Sequence, residues 1–296
     1  MKFSLKSSQL ISFILLFSLL MVISCGKETS QTMTEEQQEL EASTVSSESD
    51  AEAEIVFNDV FDDAMGVNNE VGIEGTGTLN RLTPCYTITV TRLNPPDLFP
   101  VRIVIDFGTT GCRGIDGHFR RGKIITEYTG GRLIVPGAQA VTTFDGFFVD
   151  SIKVEGTHKI KNTSASTTAD RQYTVDVVGA RLTRPSGNYS EWHNHKVITQ
   201  IEGQITVAPL DDIFRIEGTA GGKVKRGALI AAWESNILEP LIKKFSCRWI
   251  VKGKIRTIRG INTSSRWTAV LDFGNGNCDN EATITINGVS RQITLR

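Results

Sequence analysis

Two aspartates that precede Phe-Gly in matching segments are the clearest candidates for acid–base chemistry. Asp106 lies in Ile-Asp-Phe-Gly-Thr-Thr-Gly-Cys, and Asp272 lies in Leu-Asp-Phe-Gly-Asn-Gly-Asn-Cys. Two carboxyl groups that face each other could hydrolyse a glycosidic bond. The favoured interpretation is structural, because aspartates commonly accept backbone hydrogen bonds where a strand enters a turn. No kinase His-Arg-Asp motif and no Gly-x-Ser-x-Gly motif accompanies them.

Two other groups of residues have the spacing of metal ligands. His193 and His195 are two apart, so on a strand both imidazoles would share one face and could reach one metal ion. Side-chain oxygens recur at every second position from Asn275 through Asp279 to Glu281, as in calcium loops but without the complete motif. Surface histidines and a polar turn explain the same residues more simply. The sequence therefore predicts no cofactor, with these residues as weak metal candidates.

Four of the five cysteines fall into a pattern that predicts two disulfides. The segments 85–112 and 247–278 each begin and end with cysteine and contain two strand-like runs around a turn-rich middle. Folding each segment into an antiparallel hairpin places its cysteines opposite each other, close to disulfide reach. We therefore predict Cys85–Cys112 and Cys247–Cys278, with a crossed pairing between the segments as the alternative. A metal site is a weaker alternative because no Cys-x-x-Cys pair is present.

The fifth cysteine, Cys25, follows a segment that is typical of export signals. Lys2 and Lys6 precede the apolar run Leu10–Ile23, which is short for a membrane span. The run ends in Val-Ile-Ser-Cys, a sequence typical of a bacterial lipobox. We predict that residues 1–24 are a lipoprotein signal peptide and that Cys25 carries the lipid. An ordinary secretory signal with a chance cysteine is the alternative, and either would place the chain where disulfides persist.

The next segment, residues 25–55, is predicted to be a disordered acidic tether. From Gly26 to Ile55 it contains nine acidic residues and a single lysine, with almost no large apolar side chains. Such a composition cannot offset the conformational entropy lost on folding. Because the whole chain has a net charge of −1, the remainder is mildly basic. Its charge is too dispersed to indicate a nucleic-acid partner.

Residues 56–296 are predicted to form an all-β ectodomain. Apolar residues at helical spacing from Val56 to Met65 indicate one short helix that covers an end or edge of a sheet. Strand-like runs with frequent turn signals then predict an antiparallel meander, sandwich or open barrel with one solvated face. We expect two strands within Trp192–Val207 and a turn at Gly221-Gly222. Asn287-Gly288 is the strongest hairpin signal.

Several of these segments together resemble a known group of proteins. They are the lipobox, the Asp-Phe-Gly-x3-Cys segments that contain Asp106 and Asp272, and the Cys-Arg-Trp-Ile-Val-Lys-Gly run that begins at Cys247. From Val56 onward the chain resembles uncharacterised cell-envelope lipoproteins of Bacteroidota. The resemblance implies a lipoprotein of the cell envelope and carries over no catalytic residue.

The expected function follows from the predicted anchor and the predicted sheet. We expect an outer-membrane lipoprotein that faces the periplasm or the cell surface and contacts the membrane through its lipid. Its expected role is a non-catalytic binding or structural module for an envelope protein, a peptide or a glycan. The alternative is a glycan-acting hydrolase that uses Asp106 and Asp272.

Overall fold

The computed structural model divides the chain into two compact units, Met1–Gln37 and Gln38–Arg296. The predicted signal peptide, Cys25, Cys85 and the turn-like segment 260–266 lie outside the described residues. Those residues are 33–70, 86–114, 117–167, 170–206, 209–259 and 267–295.

A single long helix, α1 (Glu35–Glu70), replaces both the predicted tether and the predicted short helix. At its start, the Thr34 hydroxyl accepts the Gln37 backbone N–H at 3.2 Å, and the Gln37 side chain accepts the Thr34 N–H at 2.9 Å. This reciprocal capping box satisfies two otherwise unpaired donors of the first turn. From Ala42 to Met65 nearly every side chain of α1 is buried. The prediction of disorder is therefore wrong for residues 35–55.

The described part of the chain after α1 forms fourteen β-strands. They are β1 (Thr87–Arg92), β2 (Val101–Asp106), β3 (Cys112–Arg113), β4 (Phe119–Thr129), β5 (Gln139–Val149), β6 (Ile152–Asn162), β7 (Gln172–Thr183), β8 (Tyr189–Glu202), β9 (Ile213–Arg226), β10 (Leu229–Lys244), β11 (Ile250–Arg259), β12 (Trp267–Asn275), β13 (Glu281–Ile286) and β14 (Val289–Thr294). Every strand pairs antiparallel with the next strand in sequence, except that β2 pairs with β4. Among the described strands, the short β3 pairs only with β4. The sheet is open, with β1 and β14 at its two edges, and the all-β antiparallel prediction is confirmed.

The sheet curves around α1, because eight successive strands each place a side chain against the helix. Alternation along the strands produces this inner face: in β2, for example, Val101, Ile103 and Ile105 are buried, whereas the residues between them are more exposed. The helix therefore lies at the centre of the core, and the prediction that it covers an end or edge of the sheet is wrong. One contacting residue from each strand, β4 to β11 in order, is Tyr128, Phe144, His158, Tyr173, Trp192, Phe214, Trp233 and Arg259.

Two local predictions within the sheet are wrong. Residues 192–202 belong to one strand, β8, which pairs with β7 and β9. Gly221 and Gly222 lie inside β9 and do not form a turn. A Cβ on Gly222 would clash with the Glu191 carbonyl oxygen and would lie 2.8 Å from the Trp233 ring, so glycine is needed here for the close approach of both.

The hairpin predictions agree with the structure. β1 pairs antiparallel with β2, and β11 pairs antiparallel with β12. Cys247 and Cys278 form a disulfide with their Cα atoms 5.8 Å apart. Cys112 is also disulfide-bonded, and its predicted partner is outside the described residues. Asn287 and Gly288 connect β13 to β14 with φ values of 50° and 79°, as a tight hairpin turn requires.

Candidate functional site

Six acidic side chains of α1 are paired with basic side chains of the strands and their connections. Lys196 on β8 pairs with Glu54, and Lys243 on β10 pairs with Asp62 at 2.7 Å. All four side chains are at most 3% exposed. A buried charge without a partner is strongly destabilising, so these pairs allow an acidic helix to occupy the core. Further pairs join Arg259 to Glu39, Arg226 to Glu48, Arg184 to Glu52 and Arg248 to Asp59.

Asp50 is held at the centre of the helix–sheet interface by two tryptophans. Its Oδ1 atom accepts the indole N–H of Trp192 at 2.8 Å and that of Trp233 at 3.0 Å. All three residues are buried. These bonds satisfy donors that would otherwise be buried without an acceptor.

A cleft of about 710 Å³, the β14 cleft, opens beside the N-terminal half of α1. One wall is formed by α1, a second by the β7–β8 turn and the end of β9, and a third by the edge strand β14 with the residue that follows it. The lining residues are Glu48, Glu52, Arg184, Asn188, Arg226, Arg291, Gln292, Ile293, Thr294 and Leu295.

The β14 cleft has an excess of positive charge. Arg184 pairs with Glu52, and Arg226 pairs with Glu48 at 3.0 Å. The side chain of Arg291 forms no ion pair or hydrogen bond with any of the described residues. A guanidinium group presents a planar set of donors that suits a carboxylate or phosphate. The cleft can therefore hold an anionic group near Arg291.

Comparison with known proteins adds no family to these observations. No protein-family model, no curated protein and no solved structure matches this chain. Within the described ranges, no helix combines the length and the apolar character that crossing a membrane requires. The chemistry of the cleft and of the surface around it is therefore what bears on function.

A second concavity, the outer groove, lies on the solvated face of β7 to β10 and encloses about 610 Å³. Arg181 and Glu191 form a half-exposed ion pair at 2.8 Å along it. His193 and Glu234 also line it, and both approach the position that a Cβ on Gly221 would occupy. The groove thus presents mixed charges above a floor of small residues.

The structure does not bring the weak metal candidates together. His195 Nδ1 lies 2.7 Å from Asp176 Oδ1, whereas His193 faces Glu234 across Gly221. Asp279 accepts the backbone N–H of Glu281, whose own carboxylate accepts from Gln292. Among the residues described, no group of three or more His, Cys, Asp or Glu side chains is arranged to hold a metal ion.

The matched aspartates serve as turn acceptors, as the structural interpretation predicts. Asp106 accepts the N–H of Gly108 at 2.8 Å, and Asp272 accepts that of Gly274 at 2.9 Å. Asp106 also pairs with Lys123 on β4 at 3.0 Å. The Gly108 N–H, followed by Lys123, keeps the pKa of Asp106 below its ordinary value. Asp272 lies 3.6 Å from a different lysine, Lys254, which belongs to the preceding strand β11. The two aspartates therefore share the hydrogen bond within the turn but not the position of the lysine.

Sequence reasoning missed the residues that line the β14 cleft. Glu48 and Glu52 are four apart, which places them on one face of a helix, but they lie in a segment whose composition predicts a tether. Arg184 and Arg226 stand at the ends of strands, where a basic residue is usually solvated. Their pairing with α1 depends on the curvature of the sheet, for which the sequence has no local signal.

Proposed function

We propose that this protein is a lipid-anchored, non-catalytic binding module of the cell envelope and that the β14 cleft holds its ligand. The observation that carries the proposal is the cleft itself, where three arginines face two glutamates and one arginine is available to a ligand. Ligand sites are typically concave, with a few convergent polar groups. The volume of about 710 Å³ is in the range of such sites.

Binding has more support than hydrolysis because Asp106 and Asp272 already accept backbone hydrogen bonds in their own turns. A glycosidase needs one carboxyl group with a raised pKa to act as the general acid. The pKa of Asp106 is lowered by its hydrogen bond from Gly108. Asp106 and Asp272 belong to different hairpins, and neither lines the β14 cleft or the outer groove.

The positions of the tryptophans favour a peptide or protein ligand over a sugar stacked on an aromatic platform. Trp192 and Trp233 are buried and bound to Asp50. Trp249 and Trp267 are half-buried against the core. Sugar recognition by stacking needs an exposed ring face, which the buried Trp192 and Trp233 do not offer, and none of the four tryptophans lines the β14 cleft.

Export is supported by the observed disulfide, and the proposed lipid anchor is tested separately. The Cys247–Cys278 disulfide is of a kind that persists in oxidising compartments. Metabolic labelling with an alkyne palmitate analogue tests the anchor, and Cys25→Ser should abolish labelling and move the protein from the membrane to the soluble fraction. Continued labelling of the Cys25→Ser protein would contradict the proposed anchor.

The binding site can be tested by charge reversal with a matched control. Purified protein is screened by biolayer interferometry against immobilised panels of synthetic peptides and oligosaccharides. Arg291→Glu should abolish binding of the ligand that the native protein selects, whereas Arg181→Glu in the outer groove should leave it intact. Loss of binding only in Arg181→Glu would place the site in the groove. Oligosaccharide cleavage that is abolished by Asp106→Asn would favour the hydrolase.

A further inference from the structure

The lining of the β14 cleft shows that it runs along the edge of the sheet. Five consecutive residues, 291–295, contribute to it. Successive residues of a strand point to opposite faces, so a cavity on one face would be lined by alternate residues only. A cavity that contacts all five must therefore lie beside the backbone of the strand.

The hydrogen-bond register shows which backbone groups face the cleft. The N–H of Leu295 is bonded to the carbonyl oxygen of Asn280 at 2.7 Å, so residue 295 points its backbone groups toward β13. These groups alternate in direction along an antiparallel strand. Ser290, Gln292 and Thr294 therefore direct their N–H and C=O groups away from β13. No other described strand pairs with β14.

This edge lacks two of the features that commonly protect exposed strands from pairing, a proline and a bulge. Proline removes a backbone N–H and a bulge disrupts the ladder, whereas an inward-pointing charge repels a partner of the same sign. β14 contains no proline, and its register with β13 is continuous from Val289 to Thr294. All but one of its residues are exposed. The backbone is therefore suited to accept another strand.

The charge beside this edge indicates the chemistry of a partner strand. Arg291 pairs with the buried Ile284 and alternates with Gln292, so its side chain lies on the inner face, next to the cleft. Arg184 and Arg226 line the same space. A strand added beside β14 would place every second side chain on this inner face, where an acidic residue would meet Arg291.

We infer that the β14 cleft binds an extended acidic peptide segment of another protein, which adds to the sheet as a further antiparallel or parallel strand beside β14. This inference rests on the proposed function as a binding module and specifies its ligand class. Backbone hydrogen bonds to residues 290, 292 and 294 supply affinity, and the arginines select for acidic side chains.

The probe is a fluorescein-labelled peptide, Thr-Val-Thr-Glu-Thr-Val-Thr, whose binding to the full folded chain is followed by fluorescence anisotropy. Gln292→Pro removes an outward N–H while keeping the bonds to β13, and it should weaken binding at least about tenfold. Val90→Pro is the matched control, since the N–H of Leu93 bonds to Pro100 and Val90 therefore points away from β2 at the opposite edge. Val90→Pro should leave the affinity unchanged.

Charge and backbone contributions are separated by modified peptides. Replacing the central glutamate with lysine should abolish binding to the native protein and restore binding to Arg291→Glu. Two further peptides are methylated on alternate backbone nitrogens, one for each parity. Strand addition predicts that one parity binds and the other does not, and this comparison uses only the native protein should Gln292→Pro fail to fold.

Three outcomes would overturn strand addition. The first is equal binding of both methylated peptides, and the second is loss of binding in Val90→Pro. The third is a dimer that forms as the protein concentration rises, that Gln292→Pro prevents, and that the peptide does not disrupt. The last outcome, measured by light scattering, would assign the edge to a second copy of the chain. A fourth outcome, binding that requires Arg291 but is insensitive to Gln292→Pro, would also refute strand addition while preserving the binding module.

Discussion

Removing the ammonium group of Lys243 should strongly destabilise the protein, because this group lies inside the helix–sheet interface. Its Nζ donates to Asp62 Oδ2 at 2.7 Å, to the Cys247 carbonyl at 2.6 Å and to the Lys244 carbonyl at 3.2 Å. Lys243 and Asp62 are only 2% and 3% exposed. In Lys243→Met the apolar chain would remain, but the buried Asp62 carboxylate would lose its ion pair with Lys243.

The expected cost follows from that burial. Breaking a buried ion pair by removing one partner costs about 3–5 kcal/mol. For a domain of this size each kcal/mol lowers the melting temperature by about 2–4 °C, so Lys243→Met should lower it by roughly 6–20 °C. Urea denaturation followed by tryptophan fluorescence measures the free energy of unfolding, and differential scanning calorimetry measures the melting temperature.

An exposed ion pair and a double variant serve as controls. Lys153 pairs with Glu155 at 2.6 Å, but the two side chains are 40% and 44% exposed. Lys153→Met should therefore cost less than about 1 kcal/mol. Combining Asp62→Leu with Lys243→Met removes both charges and should recover most of the lost stability, since apolar replacement of a whole buried pair is often neutral.

Two results would refute this account of the interface. One is a cost for Lys243→Met no larger than that for Lys153→Met, which would mean that water reaches the buried carboxylate. The other is a double variant as unstable as Lys243→Met alone, which would mean that packing or the lost bond to the Cys247 carbonyl causes the effect.

Four other predictions concern stability, and each is checked by denaturation. Burial lowers the pKa of His158 to about 3. Between pH about 6.5 and 3 only the unfolded chain gains this proton, so stability should fall as the pH decreases through this range. His158→Phe should remove this pH dependence. Burial raises the pKa of Asp212 from 3.8 to about 7, so its contribution to stability should decrease as the pH rises between these values, and Asp212→Asn should flatten that range. Asp50→Ala leaves two indole N–H groups without an acceptor and should cost about 1–3 kcal/mol for each, whereas Asp50→Asn, which keeps an acceptor oxygen, should cost less. Replacing Cys247 and Cys278 by alanine opens a loop of 31 residues and should cost roughly 3–4 kcal/mol on the chain-entropy model. Unchanged pH profiles, equal costs for the two Asp50 variants, or a cysteine-free protein of native stability would contradict these predictions in turn.

The parts of the fold that could be predicted from the sequence are those set by local patterns. Alternating apolar residues identify strands because side chains on a strand have a period of two. Asn287-Gly288 predicts its hairpin because both positions need positive φ. Cys247 and Cys278 can be paired because a hairpin brings its ends together. Each of these inferences uses interactions between residues that are close in sequence or symmetric about one turn.

The helix could not be predicted in the same way because its partners are distant in sequence. Glu54 and Lys196 are separated by 142 residues, and Asp62 and Lys243 by 181. A composition rule treats these acids as solvated, whereas in the structure the sheet supplies their counter-charges. One signal was present: on β10, Lys243 shares the inner face with the buried Leu241. A charge among inward apolar positions implies a buried partner of opposite charge.

The side-chain sizes along α1 explain why the β14 cleft lies where it does. From Ala42 to Ala53 the helix carries mainly alanine, serine and short acidic side chains, and beside this half the cleft of about 710 Å³ remains open. Farther along, Phe57 and Phe61 contact aromatic residues of the sheet, and the space beside them is only about 10 Å³. The aromatic half thus fixes the helix in the sheet, while the short side chains of the other half keep the edge of β14 accessible. The same acidic, serine-rich composition that suggests disorder in the sequence therefore creates the space in which we propose that a ligand binds.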